Sequence, residues 1–192
     1  MGFAIRHICI GFFAIVLGLA MVVDAFAQQR RVVRKPKPPS CSAGANAQIV
    51  RYKVAKGEAL PAAIPKPLTK KAGDAEKGLE AVVNPGKGNC LACHEIALVL
   101  ERVDESDAET VKTYGNHGDI GPSLNGVGAR YNSAELRMIL VDPKKAFPDA
   151  KTIMPAYHAR PGSKDVTRSC QRRAMLSAQA IEDIVAYLEG LK

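Results

Sequence analysis

The segment Gly88-Asn89-Cys90-Leu91-Ala92-Cys93-His94 contains the spacing Cys-x-x-Cys-His, which constrains the fold more than any other feature of this chain. Two thiols separated by two residues lie about one helical turn apart, so both can form thioether bonds with the vinyl groups of one porphyrin. The adjacent imidazole can then bind the iron. The motif therefore predicts one covalent haem c, attached through Cys90 and Cys93, with His94 as an iron ligand.

Two other uses of this cysteine pair are less consistent with the sequence. A zinc site would need further Cys or His ligands, and no second Cys-x-x-Cys and no His-x-x-x-His occurs in the chain. A redox-active dithiol is expected after a parallel strand with a crossover helix, and the sequence pattern predicts neither. We therefore favour haem over zinc and over a dithiol.

The N-terminus has the pattern of a secretory signal. Arg6 precedes the apolar run 8–23, and Ala25-Phe26-Ala27 supplies small residues at alternate positions. We predict a signal peptide over 1–27, a mature chain that starts at Gln28, and no membrane span after cleavage. The apolar run is shorter than the roughly 20 residues that cross a bilayer comfortably, although an uncleaved anchor is the alternative. Haem is attached to such motifs outside the bacterial cytoplasmic membrane, so the predicted location is the periplasm.

Composition favours a small helical domain with acidic partners. The chain has 192 residues, no Trp and only 5% aromatic residues, as expected where a porphyrin supplies much of the core. Its formal net charge is +8, which favours association with acidic surfaces. Nucleic acid is not a predicted partner, because the basic residues are not interleaved with aromatic residues and the protein is exported.

The mature chain divides into two parts by composition. Residues 28–72 form a predicted basic, Pro-rich arm followed by an irregular extension, in which Pro61, Pro65 and Pro67 break any helix. The arm is either a disordered tail or a strap onto an acidic partner. Folded structure is expected to begin near Gly73, and 73–192 to form a mono-haem cytochrome c domain.

Two cysteines remain outside the haem motif in the mature chain, Cys41 and Cys170. In an oxidising compartment a disulfide between them is the simplest interpretation. Free thiols, or a bridge to a partner chain, are the alternatives.

The periodicity of apolar residues predicts helices and no strand, which makes the fold class all-α. Each helix has a capping residue or an apolar stripe that marks it. The predicted helices follow Asp74 (apolar face Ala75, Leu79, Val82 and Val83, ending at Asn84-Pro85-Gly86), the haem motif (Ile96, Val99, Leu100 and Val103, ending before the acidic stretch 104–109), Asn132 with Glu135 (Leu136, Ile139 and Leu140) and Ser177 (Ile181, Ile184, Val185 and Leu188).

With Gly121-Pro122-Ser123-Leu124 placed between the haem motif and the middle helix, the order of elements over residues 73–192 resembles class I cytochrome c. The resemblance implies that the first and last helices cross, with Gly78 allowing close approach and Tyr187 packing at the crossing. It also implies that the carbonyl group of Pro122 accepts the second ring N–H of His94 and so orients this ligand. An ordinary turn is the alternative role for Gly121-Pro122.

The second iron ligand is predicted to be Met154. It lies in Thr152-Ile153-Met154-Pro155-Ala156-Tyr157, where the following proline keeps it out of a helix and on a loop that can lean over the haem. A thioether gives a relatively high potential, as an electron acceptor needs. The alternatives, each of which has an ordinary structural role open to it, are Met138, Met175, His117 and His158.

A closer resemblance is to the X subunit of the Sox cytochrome complex of sulfur-oxidising bacteria. It rests on the joint order of several sequence blocks: G-N-C-L-A-C-H, G-P-S-L-N-G-V-G-A-R-Y, A-E-L-R-M-I-L-V-D-P, I-M-P-A-Y and S-A-Q-A-I-E-D-I-V-A-Y-L. Members of this family are small periplasmic mono-haem cytochromes paired with a larger haem-bearing A subunit. The pair couples thiosulfate oxidatively to a cysteine of a carrier protein and releases two electrons.

The resemblance implies that this chain is the electron-accepting subunit of a heterodimeric L-cysteine S-thiosulfotransferase. Its expected partners are the A subunit, the thiosulfate carrier protein and a downstream cytochrome c. No catalytic residue is expected here, because the catalytic cysteine of the family belongs to the A subunit. The alternatives are a free-standing periplasmic electron carrier and a haem subunit of another periplasmic oxidoreductase.

Overall fold

A computed structural model describes residues 47–159 and 173–192 of the chain. In these residues helices dominate, and the strands are limited to one short ribbon, which confirms the all-α prediction. A 3₁₀ helix spans Cys90–Ala92. The other elements in chain order are β1 (Ala47–Gln48), α1 (Ala75–Val83), α2 (Ala97–Leu100), α3 (Ala108–Tyr114), α4 (Val127–Arg130), α5 (Ser133–Val141), α6 (Pro143–Ala146), β2 (Arg173–Ala174) and α7 (Ala178–Glu189).

Helices α1 and α7 begin at the predicted caps. The Asp74 carboxylate accepts the backbone N–H groups of Glu76 and Lys77, each at 3.2 Å. The hydroxyl oxygen of Ser177 accepts the N–H of Ala180 at 3.1 Å. Each cap satisfies N–H groups that the first helical turn leaves without a partner.

The first and last helices pack directly against each other, as the resemblance implies. A Cβ atom at Gly78 would overlap the carbonyl oxygen of Asp183 and would lie 2.8 Å from the Cβ of Tyr187. Only a residue without a side chain allows the two backbones to approach this closely. The predicted role of Gly78 at the crossing is therefore confirmed.

Helix α5 has the predicted capping box at its N-terminus. The side chain of Asn132 accepts the N–H of Glu135 at 3.1 Å, and the Glu135 carboxylate accepts the N–H of Asn132 at 3.2 Å. Leu136 and Leu140 are buried, and Ile139 is partly buried. This helix is the middle layer between the candidate site and the N-terminal extension.

The structure differs from the prediction where the sequence has weak or very short patterns. Helix α2 ends at Leu100, which is 38% exposed, and tight turns replace the predicted continuation to Val103. Helix α3 begins within the acidic stretch and buries none of its residues, so it shows no apolar stripe. The antiparallel pair β1 and β2 has two residues in each strand, in the register Ala47 to Ala174, which is too short to show an alternating pattern.

The N-terminal extension has no helix between residues 47 and 72, yet it contributes to the core. The side chains of Leu60 and Ile64 are 7% and 1% exposed. The N–H of Ile64 donates to the carbonyl oxygen of Ala134 at the start of α5, at 2.9 Å. Packed structure therefore begins before Gly73, although the sequence pattern predicted a start near Gly73.

Several predicted features lie outside the described residues: the signal peptide, the basic arm, Cys41 and Cys170. Within 47–159 and 173–192 no helix is long and apolar enough to cross a membrane.

Candidate cofactor site

The Cys-x-x-Cys-His segment forms a tight turn of 3₁₀ type. Asn89 enters it with φ +51°, a left-handed conformation that Asn tolerates better than most residues. The N–H groups of Cys93 and His94 both donate to the carbonyl oxygen of Cys90, at 3.1 and 2.9 Å. Because the chain completes one turn here, both cysteines and His94 line the same cavity.

Neither Cys90 nor Cys93 forms a disulfide within the described residues. Burial, and secondarily the nearby Cys93, raises the pKa of the Cys90 thiol to about 12. In the described part of the chain no three Cys, His, Asp or Glu side chains come together in a way that could hold a metal ion, so a zinc site gains no support.

The ring of His94 is oriented by the segment that contains Pro122. Its Nδ1 lies 2.7 Å from the carbonyl oxygen of Pro122. Because a carbonyl oxygen only accepts, Nδ1 carries the proton and Nε2 keeps the lone pair that a metal would need.

Gly121 leaves room for that ring, a role that the sequence analysis missed. A Cβ atom at this position would overlap the imidazole, with Nδ1 of His94 only 2.6 Å away. The N–H of Gly121 also donates to the carbonyl oxygen of Cys93 at 2.7 Å. The Gly121-Pro122 dipeptide was noted in the sequence as a candidate turn. Its residue types alone do not indicate that Gly121 would face the ring of His94.

Met154 lines the same cavity as the two cysteines and His94. It is partly buried, and its N–H donates to Oγ1 of Thr152 at 3.1 Å. Met138 is instead buried in the core from within α5, and Met175 is 37% exposed; neither lines the cavity. Of the methionines in the described residues, only Met154 lines the cavity.

The two alternative histidine ligands are both occupied by backbone groups away from the cavity. His158 is fully buried; its Nε2 accepts the N–H of Val50 at 3.1 Å, and its Nδ1 lies 2.8 Å from the carbonyl oxygen of Leu176. His117 accepts the N–H of Ile96 through Nδ1 at 3.1 Å, and its Nε2 lies 2.9 Å from the carbonyl oxygen of Tyr114. Neither ring has a nitrogen free to bind iron in this arrangement.

The cavity has a volume of about 860 Å³ and a predominantly apolar wall. This volume lies within the range of roughly 300–1,000 Å³ that is typical of cofactor sites. Two thiols, one imidazole and one thioether in an apolar cavity fit the haem that the motif predicts. Its apolar lining includes Leu124, Val127, Leu136, Ile139, Leu140 and Phe147.

Two cations that the sequence analysis did not single out also line the cavity, Arg130 and Lys151. The guanidinium group of Arg130 donates to the carbonyl oxygens of Asn125 and Ser123, at 2.7 and 3.1 Å. A haem carries two propionate carboxylates, and these cations could balance their charge. No periodic sequence pattern distinguishes a cation that lines a cavity, so the position of these two residues is seen only in the tertiary structure.

The crossing of α1 and α7, together with a cavity lined by Cys-x-x-Cys-His and a loop methionine, defines a class I cytochrome c. No protein-family model matches the chain, and no curated protein matches it. A solved structure does: a chain in the crystal structure of SoxXA from P. pantotrophus has 30% sequence identity and a TM-score of 0.56. The match covers 73% of this chain and 94% of that one. The protein therefore belongs to the SoxX family of cytochromes.

Proposed function

We propose that this protein is the mono-haem c-type cytochrome subunit of a periplasmic thiosulfate-oxidising complex. The observation that carries the proposal is the convergence of Cys90, Cys93, His94 and Met154 on one apolar cavity in a chain similar to one in SoxXA. In this role it accepts the electrons that are released when thiosulfate is coupled to a cysteine of the carrier protein. A downstream cytochrome c then removes them.

Each site residue has one task. Cys90 and Cys93 attach one haem c covalently, His94 ligates iron through Nε2, and Met154 ligates it through sulfur. Pro122 orients the imidazole through the 2.7 Å contact with Nδ1. Reversible one-electron transfer is the chemistry that the haem supplies when bound.

The protein's own contribution to the reaction is electron acceptance and not nucleophilic catalysis. The cysteines of the described residues, Cys90 and Cys93, are both assigned to haem attachment. From the resemblance to the Sox family, the catalytic cysteine is expected on a larger haem-bearing A subunit, with which this chain forms a heterodimeric L-cysteine S-thiosulfotransferase. Export by the signal peptide over 1–27 brings the chain to the periplasm, where the haem is attached.

The first test is of the haem itself. The full chain is expressed with its own N-terminus in a bacterium that has the haem-attachment machinery, and periplasmic protein is separated on a denaturing gel and stained for covalent haem. We expect one haem per chain, and none in the Cys90→Ala/Cys93→Ala variant. A full-length wild-type chain without covalent haem would overturn the proposal.

The second iron ligand is tested by Met154→Leu, with Met175→Leu as the matched control. Loss of the thioether should remove the long-wavelength absorption band of methionine-ligated ferric haem and lower the midpoint potential. The control changes a methionine outside the cavity and should leave both unchanged. Equal spectra for the two variants would exclude Met154 as a ligand.

The place in the complex is tested with the partners. The haem-loaded chain is purified in mild salt, and its visible spectrum is followed after addition of thiosulfate and the carrier protein. Co-purification with a second, larger haem chain and thiosulfate-dependent reduction are the expected results. A lone haem protein that is inert to thiosulfate would instead indicate a free-standing electron carrier.

A further inference from the structure

Tyr157 connects the loop that carries Met154 to the turn that carries Cys90. Its hydroxyl group donates to the carbonyl oxygen of Gly88 at 2.8 Å, across a sequence separation of 69 residues. The side chain is 6% exposed and lines the cavity. A buried hydrogen bond of this kind is protected from competition by water.

Both ends of this connection are anchored to the framework. The N–H of Tyr157 donates to the carbonyl oxygen of Leu140 in α5 at 3.0 Å, and its own carbonyl oxygen accepts the N–H of Leu176 at 2.9 Å. The N–H of Gly88 donates to the carbonyl oxygen of Ala81 in α1 at 2.8 Å. The phenol therefore bridges two segments that helices hold in place.

The phenol also lies beside the attachment cysteines. Burial raises the pKa of Tyr157. The phenol and both thiols line the same cavity. Tyr157 is the third residue after Met154, so its side chain forms a short connection between the methionine loop and the attachment turn.

We propose that Tyr157 is a positioning residue whose hydroxyl group, through the carbonyl oxygen of Gly88, keeps the methionine loop at the correct distance from the haem-attachment turn. The inference rests on the proposed function, because it assumes that Met154 is the second iron ligand. Without the hydroxyl group the loop keeps its backbone contacts but loses its direct link to the turn. Met154 then leaves the iron more readily.

The ferric state is the sensitive one. A thioether is a soft ligand that suits ferrous iron better than ferric iron. In the ferric protein the sulfur therefore depends more on being held in place by the loop. A competing ligand such as imidazole should consequently report the position of the loop in that state.

The experiment is an imidazole titration of the ferric, haem-loaded protein, followed by loss of the methionine-to-iron absorption band. Because a buried hydrogen bond contributes on the order of 1 kcal/mol, Tyr157→Phe should bind imidazole about five- to tenfold more tightly than wild type. Tyr187→Phe is the matched control. It also removes a tyrosine hydroxyl, one with no hydrogen-bond partner in the described residues, and should leave the affinity unchanged.

A double-mutant cycle separates positioning from a general loss of stability. In a Met154→Ala background there is no sulfur to displace and no methionine band, so imidazole binding is followed there by the shift of the main haem absorption band. In this background Tyr157→Phe should not alter the affinity for imidazole. An unchanged affinity in the single variant would overturn the inference. So would an equal increase in both backgrounds, or failure of Tyr157→Phe to accumulate as holoprotein in either background.

The inference and the proposed function can fail separately. If wild-type protein lacks haem, the proposed function is wrong; if it has haem but lacks the methionine band, the assignment of Met154 as a ligand is wrong. If wild type has both and Tyr157→Phe titrates like wild type, only the role of Tyr157 is wrong.

Discussion

The two sides of helix α5 differ in the kind of side chain that they bury. Towards the cavity the helix presents the apolar side chains of Leu136, Ile139 and Leu140. Towards the N-terminal extension it presents Glu135 and Arg137, which are 1% and 4% exposed. The cavity side offers an apolar surface on which a cofactor can pack. On the side of the extension, the buried polar groups are paired with other groups of the protein.

The second side is a buried polar clamp formed by Glu135, Arg137 and Glu182. Arg137 pairs with Glu182 in bidentate geometry, Nε to Oε1 at 2.7 Å and Nη2 to Oε2 at 2.9 Å. Arg137 also donates to the carbonyl oxygen of Ile64, and Glu182 accepts the N–H of Leu68. The clamp therefore joins α5, α7 and the extension.

Every buried side-chain nitrogen or oxygen in the part of the chain that the structure describes has a partner. Buried charges are tolerated only when they are paired in this way. The extension is attached by paired polar groups, whereas the cavity has predominantly apolar walls, two cations and a few candidate ligands. Substitutions on the clamp should therefore damage stability most, and substitutions in the cavity should mainly affect the cofactor.

The largest effect is expected from Glu182→Ala. This change leaves the guanidinium of Arg137 buried without its counter-ion and the N–H of Leu68 without an acceptor. We expect the free energy of unfolding of the haem-loaded protein to fall by about 3–5 kcal/mol, measured by denaturant titration.

The matched control is Lys112→Ala, which breaks the solvent-exposed pair of Lys112 and Glu109. Its side chains are 77% and 74% exposed, so the loss should be below about 0.5 kcal/mol. Equal effects from the two variants would show that the clamp is not what attaches the extension.

Glu135→Gln should have the next largest effect, and a pH-dependent one. Burial alone would raise the pKa of Glu135, but hydrogen bonds from the N–H groups of Leu60, Ala59 and Asn132 outweigh it, so the pKa is lowered. The carboxylate oxygen accepts Leu60 at 2.8 Å and Ala59 at 2.5 Å. Replacing the charge should cost about 2–3 kcal/mol near neutral pH.

The sign of the pH dependence follows from the lowered pKa. The ionised carboxylate stabilises the folded state above the pKa of an unfolded glutamate, about 4.3, and this contribution is lost as the pH falls through the lower pKa of the folded state. Unfolding measured across that acidic range should therefore show a smaller loss of stability in Glu135→Gln than in wild type. Parallel profiles would contradict the assignment.

The smallest change in stability is expected on the cavity side, from Gly121→Ala. The added methyl group would collide with the ring of His94, and overpacking of this size typically costs about 1–2 kcal/mol. The imidazole should also be displaced from Pro122, so the visible spectrum and haem content should change more than stability does. Gly86→Ala is the control, because the nearest atom to its new Cβ is Oδ1 of Asn84 at 3.2 Å, on an exposed turn.

A loss of stability in Gly121→Ala without a change in the spectrum would contradict the expected difference between the cavity side and the clamp side of α5. A spectral change without a large loss of stability would support that difference.

The features that could be predicted from the sequence are those that depend on local interactions. The caps at Asp74 and Ser177 and the capping box of Asn132 with Glu135 act within three residues, so their spacing is visible in the sequence. Helix α3 was missed because it buries no side chain and so has no apolar period. The attachment turn was found because its spacing of two residues matches one turn of chain.

The clamp could not be predicted, because its partners are far apart in sequence. Glu135 was recognised as part of a capping box, but its bonds to Ala59 and Leu60 span 76 and 75 residues. Arg137 and Glu182 each belong to helices that were predicted, and nothing in either pattern indicates that these two charges meet. The same holds for Tyr157 and Gly88.

The sequence by itself determined the helices, the position of the attachment turn and the chemical identity of the ligands that can serve a haem. These depend on spacing over a few residues and on the side chains themselves. Only the tertiary structure decided which of several methionines and histidines faces the cavity, which cations line it and how the extension is held. Those choices depend on which segments, distant in sequence, become neighbours when the apolar surfaces are buried, and that is a property of the whole chain.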